Sequence, residues 1–98
     1  MKNLAIARRY AKALLLIGKE DGQAEKYKDE LVGVAALLER EKELEQAISN
    51  PLYNAEGRKQ VLKKVIGKLD LSNVMQSFLL LLFDKGRIGF LGSISEFY

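Results

Sequence analysis

Along the chain, apolar residues recur at intervals of three and four, and the strict alternation that marks strands is scarce. The clearest stripe is Ala24, Tyr27, Leu31, Val34, Ala35 and Leu38, one face of a helix from about Gln23 to Glu39. Its other face is charged, and Gly33 sits mid-helix at some entropic cost. A short helix from Glu39 to Ile48 turns Leu44, Ala47 and Ile48 inward. Asn50-Pro51 ends it, because the residue before a proline avoids helical angles. Asn54 caps the next helix, with Glu56 in its first turn. Val61, Leu62, Val65, Ile66 and Leu69 face inward there, and Arg58, Lys59, Lys63, Lys64 and Lys68 outward. A fifth helix begins at Asp70 or Ser72 and ends on Gly86 as a left-handed terminator. A sixth begins near Arg87 or Ile88, with Leu91, Ile94 and Phe97 or Tyr98 on one stripe. Upstream of all these, Asn3 caps a first helix that runs to about Gly18, and Gly18 and Gly22 bracket the turn after it. The pattern predicts an all-α fold, a six-helix bundle forming a single small domain.

Two of the six helices are more apolar than a core face requires. In the first, Ile6, Tyr10, Ala13 and Ile17 form one stripe and Leu4, Ala7, Ala11, Leu14 and Leu15 a second. Together they span an apolar arc of about 200°, roughly twice what a surface helix uses. Arg8, Arg9 and Lys12 hold the remaining side. The fifth helix contains six large apolar residues in a row, Phe78 to Phe83. Met75, Phe78, Leu79, Leu82 and Phe83 make a sufficient core face, while Leu80 falls in the polar arc and Leu81 and Val74 sit on its border. The run is too short for a membrane span, which takes roughly 20 apolar residues. The surplus has two physical readings: both helices are central in the bundle, or they share a groove for a partner's amphipathic helix.

Composition narrows the chemistry. The 98 residues suit one domain, and 48% hydrophobic with 30% charged residues supports a modest core. Cysteine and histidine are both absent, which removes disulfides, thiolate chemistry, the usual zinc sites and imidazole catalysis. Glu39, Glu41, Glu43 and Glu45 alternate in a polar segment with nothing to raise their proton affinity, so no enzyme, metal or cofactor is expected. Gly86-Arg87-Ile88-Gly89 follows no strand and reads as a helix–helix turn, with Asp84 and Arg87 as a local ion pair. The net charge of +3 is uneven, basic over residues 1–20 and 50–70 and acidic over 21–49. A basic start admits phosphate or nucleic-acid binding, yet the stacking aromatics of such modules are missing and a solvated face is the plainer reading.

Three stretches taken together, ARRYAKAL (7–14), NPLYNAEGRKQVL (50–62) and FLLLLFDKGRIGFL (78–91), resemble the N-terminal domain of the delta subunit of F-type ATP synthase. The mitochondrial counterpart of this family is the oligomycin-sensitivity-conferring protein. The resemblance spans essentially the whole chain and implies a six-helix bundle. It also implies a non-catalytic stator role in the peripheral stalk, holding the catalytic head against the rotor during proton-driven ATP synthesis. In that family a groove between helices one and five binds the N-terminal amphipathic helix of an alpha subunit. Carried onto this sequence, the resemblance points to Tyr10, Ala13 and Leu81, and the helical wheels add Ile6, Ile17, Val74, Ser77 and Leu80. Delta-type subunits continue into a second domain that contacts the b subunits. Residues 1–98 are therefore expected to be an N-terminal helical domain with the C-terminal domain absent, and b-subunit contacts are expected only through that missing region. The implied location is peripheral, on the cytoplasmic face of the bacterial inner membrane within the synthase complex, with no nucleic acid and no membrane insertion. The alternative reading is a small basic helical RNA-binding module of the transcription antitermination type.

Overall fold

The computed structural model describes residues 4–98. Among them it contains six α-helices and no strand: α1 (Leu4–Asp21), α2 (Ala24–Arg40), α3 (Lys42–Ser49), α4 (Ala55–Leu69), α5 (Asn73–Asp84) and α6 (Leu91–Phe97), with a 3-10 turn (Ile88–Phe90) leading into α6. The predicted cap at Asn3 lies outside the described residues.

Local chemistry explains most of the boundaries. Asn54 caps α4, its side chain accepting from the Glu56 and Gly57 amides at 2.9 and 3.2 Å. Asp70 terminates α4 in the left-handed conformation, φ 51°, so it does not open α5. Ser72 does that, its Oγ accepting from the Met75 amide. Gly86, at φ 72°, closes α5 in a Schellman arrangement: the Arg87 amide donates to the Leu82 carbonyl and the Gly86 amide to the Phe83 carbonyl. Gly18 departs from its expected place in a turn. Helix α1 continues to Asp21 and the left-handed residue is Gly22, φ 76°. Gly18 is instead a buried contact, where a Cβ would stand 2.6 Å from the Ala24 Cα.

The core is a single cluster. Ala7, Ala11 and Leu14 of α1, Tyr27, Leu31 and Val34 of α2, and Leu91 and Ile94 of α6 join Met75, Phe78, Leu79 and Leu82 of α5. Helices α1, α2 and α6 pack on one another, α3 and α4 form a second pair, and α5 leans on α2, α4 and the 3-10 turn. The backbone approach between α1 and α5 is slighter than the one that joins α1 to α2 and α6.

Several side chains depart from the wheel reading. Leu69 is exposed, because α4 ends there and the chain turns away at Asp70. Arg58 and Lys59 do not simply point outward. The Arg58 guanidinium lies 5.2 Å from the Phe83 ring centroid and donates to the main-chain carbonyls of Tyr53 and Ile48, pinning the α3–α4 loop. Lys59 pairs with Asp84 at 3.3 Å, in place of the expected Asp84–Arg87 pair. Arg8 lies over the Phe97 ring, 4.7 Å from its centroid, so it serves the α1–α6 contact and not a free basic face.

Candidate functional site

Between α1 and α5 lies an apolar cleft of about 370 Å³. Leu14 and Ile17 come from α1, and Asn73, Val74, Ser77, Phe78 and Leu81 from α5. The helical period puts them there: Leu14 and Ile17 are three residues apart, and Val74, Ser77, Phe78 and Leu81 recur at three and four. Leu14 and Phe78 are buried and form the floor. Ile17 and Leu81 stand on the rim, 43% and 44% exposed. Both side chains leave apolar surface in water that no other helix of the bundle covers.

Two polar constructions frame the cleft. At one end the Arg87 Nη1 donates to the Tyr10 hydroxyl at 2.9 Å, and the Tyr10 ring meets Phe78 edge to face with centroids 6.3 Å apart. This link ties α1 to the turn after α5. At the other end, Glu30 of α2 accepts from both the Ser72 amide (2.6 Å) and the Ser72 Oγ (2.7 Å). The start of α5 is thereby clamped to α2, and Asn73 and Val74 follow directly after the clamp.

Of the eight residues expected in a groove, the cleft brings four together: Ile17, Val74, Ser77 and Leu81. Tyr10 is half-buried behind the Arg87 link. Ile6 and Ala13 lie on the stripe shared with Tyr10 and Ile17, outside the cavity lining, and Ala13 is exposed. Leu80 goes elsewhere: it is half-buried and packs against the core. Sequence reasoning missed Leu14, Phe78 and Asn73 as lining residues. Leu14 and Phe78 read as pure core because a floor residue is buried from below and open only to the cleft. Asn73 carried a usable signal, since it sits one turn before Ser77 on the wheel.

Elsewhere the surface offers less. A cavity of about 390 Å³ beside the α3–α4 loop is lined in part by Arg58, which is already committed to two carbonyls. Lys63, Lys64 and Lys68 of α4 are exposed without an aromatic interleaved among them. Among the described residues no helix is long and apolar enough to cross a membrane, and no group of three or more Asp and Glu side chains is placed to hold a metal ion.

Comparison with known proteins bears on the whole chain. The family model for the ATP synthase delta (OSCP) subunit matches residues 6–98. ATP synthase subunit delta of Desulfatibacillum aliphaticivorans is 60% identical over 98 residues, 100% of this chain and 54% of that protein. The subunit delta of Desulfosudis oleivorans is 58% identical over the same share of each chain, and that of Geotalea uraniireducens 46%. The chain thus spans about half the length of the curated relatives it matches.

Proposed function

The chain belongs to the ATP synthase delta (OSCP) subunit family, and from that premise we propose that it is a non-catalytic, peripheral stator element of the synthase that receives the N-terminal amphipathic helix of an alpha subunit. The observation that carries this reading is the open apolar cleft between α1 and α5 with Ile17 and Leu81 on its rim. Buried surplus would have supported a purely central role for both helices. Surplus left exposed along a cleft suits a helix laid into it. Contacts with b subunits are assigned to a region outside these residues, which form the N-terminal helical domain in this proposal. The RNA-binding module is disfavoured by the family and by the commitments of Arg8, Arg58 and Lys59 to intramolecular partners.

A stator contact must outlast torque, so slow dissociation matters more than fast encounter. A helix in such a cleft covers on the order of several hundred Å² on each side, near the low end of stable interfaces. Binding then concentrates in a few central anchors. Titration calorimetry with the alpha-subunit N-terminal peptide tests the proposal. Leu81→Asp and Ile17→Asp, at the two rim positions, are each expected to weaken binding by at least about tenfold, about 1.4 kcal/mol, with helicity by circular dichroism unchanged. Two folded variants with the affinity of the parent chain would remove the groove assignment.

A further inference from the structure

We propose that the charges at the two ends of the α1–α5 groove differ in sign and thereby fix the direction of the partner helix. Its acidic turns lie against Arg9, Lys85 and Arg87, and its basic turns against Glu20 and Asp21. This rests on the groove reading above and goes further, because a groove alone accepts a helix either way round.

The two walls run antiparallel. Tyr10 of α1 meets Phe78 of α5, and Arg87, just beyond the end of α5, reaches the Tyr10 hydroxyl. Seven residues later on α1, Ile17 shares the cleft with Asn73 and Val74 of the first turn of α5. Residue number therefore rises along one wall as it falls along the other. Lys85 lies one turn beyond Leu81, on the same stripe, and Arg9 adjoins Tyr10. Asp21 lies one turn beyond Ile17 and Glu20 beside it, whereas Asp70 lines a separate cavity with Asp29 and Glu30 of α2.

The neighbours do not cancel this polarity. Asp84, the acid nearest the basic end, is paired with Lys59. Arg8 is turned onto Phe97. Lys19, the base in the last turn of α1, stands about 200° round the helix from Ile17 and so away from the groove. Among the described residues Arg9, Lys85 and Glu20 take part in no ion pair, and all three are exposed. Asp21 accepts from the Tyr27 hydroxyl and the Gln23 amide, which fix its position at this end. From Arg9 to Glu20 the helix rises about 16 Å, at ~1.5 Å per residue. The Debye length at physiological salt is about 8 Å, so each end acts on its own stretch of partner. Like charges at both ends would carry no direction. Opposite charges favour one direction and penalise its reverse.

Two synthetic 18-residue helical peptides with the same apolar stripe test this. One carries glutamates in its first two turns and lysines in its last two; the other has the reverse order. Each bears a nitroxide at its N-terminus and is added to the isotope-labelled chain, whose amide lines are then recorded. The acid-first peptide is expected to broaden Arg9 and Lys85, and the base-first peptide Glu20 and Asn73. In the double variant Arg9→Glu with Lys85→Glu, broadening is expected at both ends for either peptide, and added salt should erode the parent's preference. Two peptides bound in the same direction would overturn the inference while leaving the groove reading intact. Two peptides that broaden neither end would overturn the groove reading, and the inference with it.

Discussion

Gly18 shows how a single hydrogen in place of a side chain sets how closely two helices approach. The start of α2 crosses α1 at this point, with Ala24 Cα, Cβ and N all within 3.0 Å of where a Gly18 Cβ would stand. The approached atoms are mostly backbone, so relief requires the helices to move apart. Gly67 occupies the opposite situation, in the interior of α4 with nothing within 4 Å of a Cβ. The same substitution should therefore have opposite signs. Alanine is the better helix former by about 1 kcal/mol. At Gly67 that preference is unopposed, and Gly67→Ala is expected to raise stability by about 0.5–1 kcal/mol. At Gly18 the clash outweighs it, and Gly18→Ala is expected to cost about 1–3 kcal/mol. Denaturant unfolding of the two variants beside the parent chain decides the matter. A stabilised Gly18→Ala would mean that the α1–α2 turn yields freely.

Helix α5 is only twelve residues long, yet it supplies five of the cleft-lining side chains. Its position depends on fixed ends, because an isolated helix of this length is marginal. The C-terminal end is closed by its own Schellman bonds. The N-terminal end relies on another helix: Glu30 accepts twice from Ser72, and Gln76 Nε2 donates to the Leu71 carbonyl at 2.8 Å. Removing Glu30 leaves the part-buried Ser72 amide without its carboxylate, a loss of about 1–3 kcal/mol for a hydrogen-bonded charged group. Glu30→Ala is thus expected to speed amide exchange across the first turn of α5, from Asn73 to Gln76, ahead of the rest of the helix. Glu30→Gln keeps one acceptor and should fall between. Uniform exchange along α5 in Glu30→Ala would show that packing of Met75, Phe78 and Leu79, and not the clamp, seats the helix. This clamp was not visible in the sequence, since 42 residues separate its partners. The Asn54 and Gly86 caps were visible, because each acts within a few residues of itself.

At the scale of the whole molecule the same division holds. Periodicity alone gives six helices and the buried stripe of α2, because side-chain direction follows from position on a helix. It also shows that α1 and α5 carry surplus apolar residues, but not which of them line a cleft. Leu80 and Leu81 are adjacent in sequence, and only the position of the other helices packs the first against the core and leaves the second exposed. Closure of the bundle is likewise tertiary. Tyr98 donates its hydroxyl to the Ala24 carbonyl at 2.6 Å, and Tyr27 donates to the Asp21 carboxylate at 2.5 Å, so α1, α2 and α6 are tied at one end by two phenols. The hydrogen bond to Asp21, reinforced by burial and by the negative charges of Asp21 and Glu30, pushes the Tyr27 hydroxyl up to about 12. Burial first, then Glu25 and Asp21, raise Tyr98 in the same direction. A phenol in the unfolded chain loses its proton near 10, before the folded Tyr27 does. Between those values the native state binds more protons than the unfolded one, and stability falls as pH rises. The Tyr27 contribution is therefore complete below pH 10, lost progressively between about 10 and 12, and gone above. The comparison is with Tyr27→Phe, which retains the ring and removes the titrating group. Melting temperatures recorded from pH 9 to 12 should fall more steeply for the parent than for Tyr27→Phe. Parallel curves would mean that the Tyr27–Asp21 bond contributes nothing to holding α1 against α2.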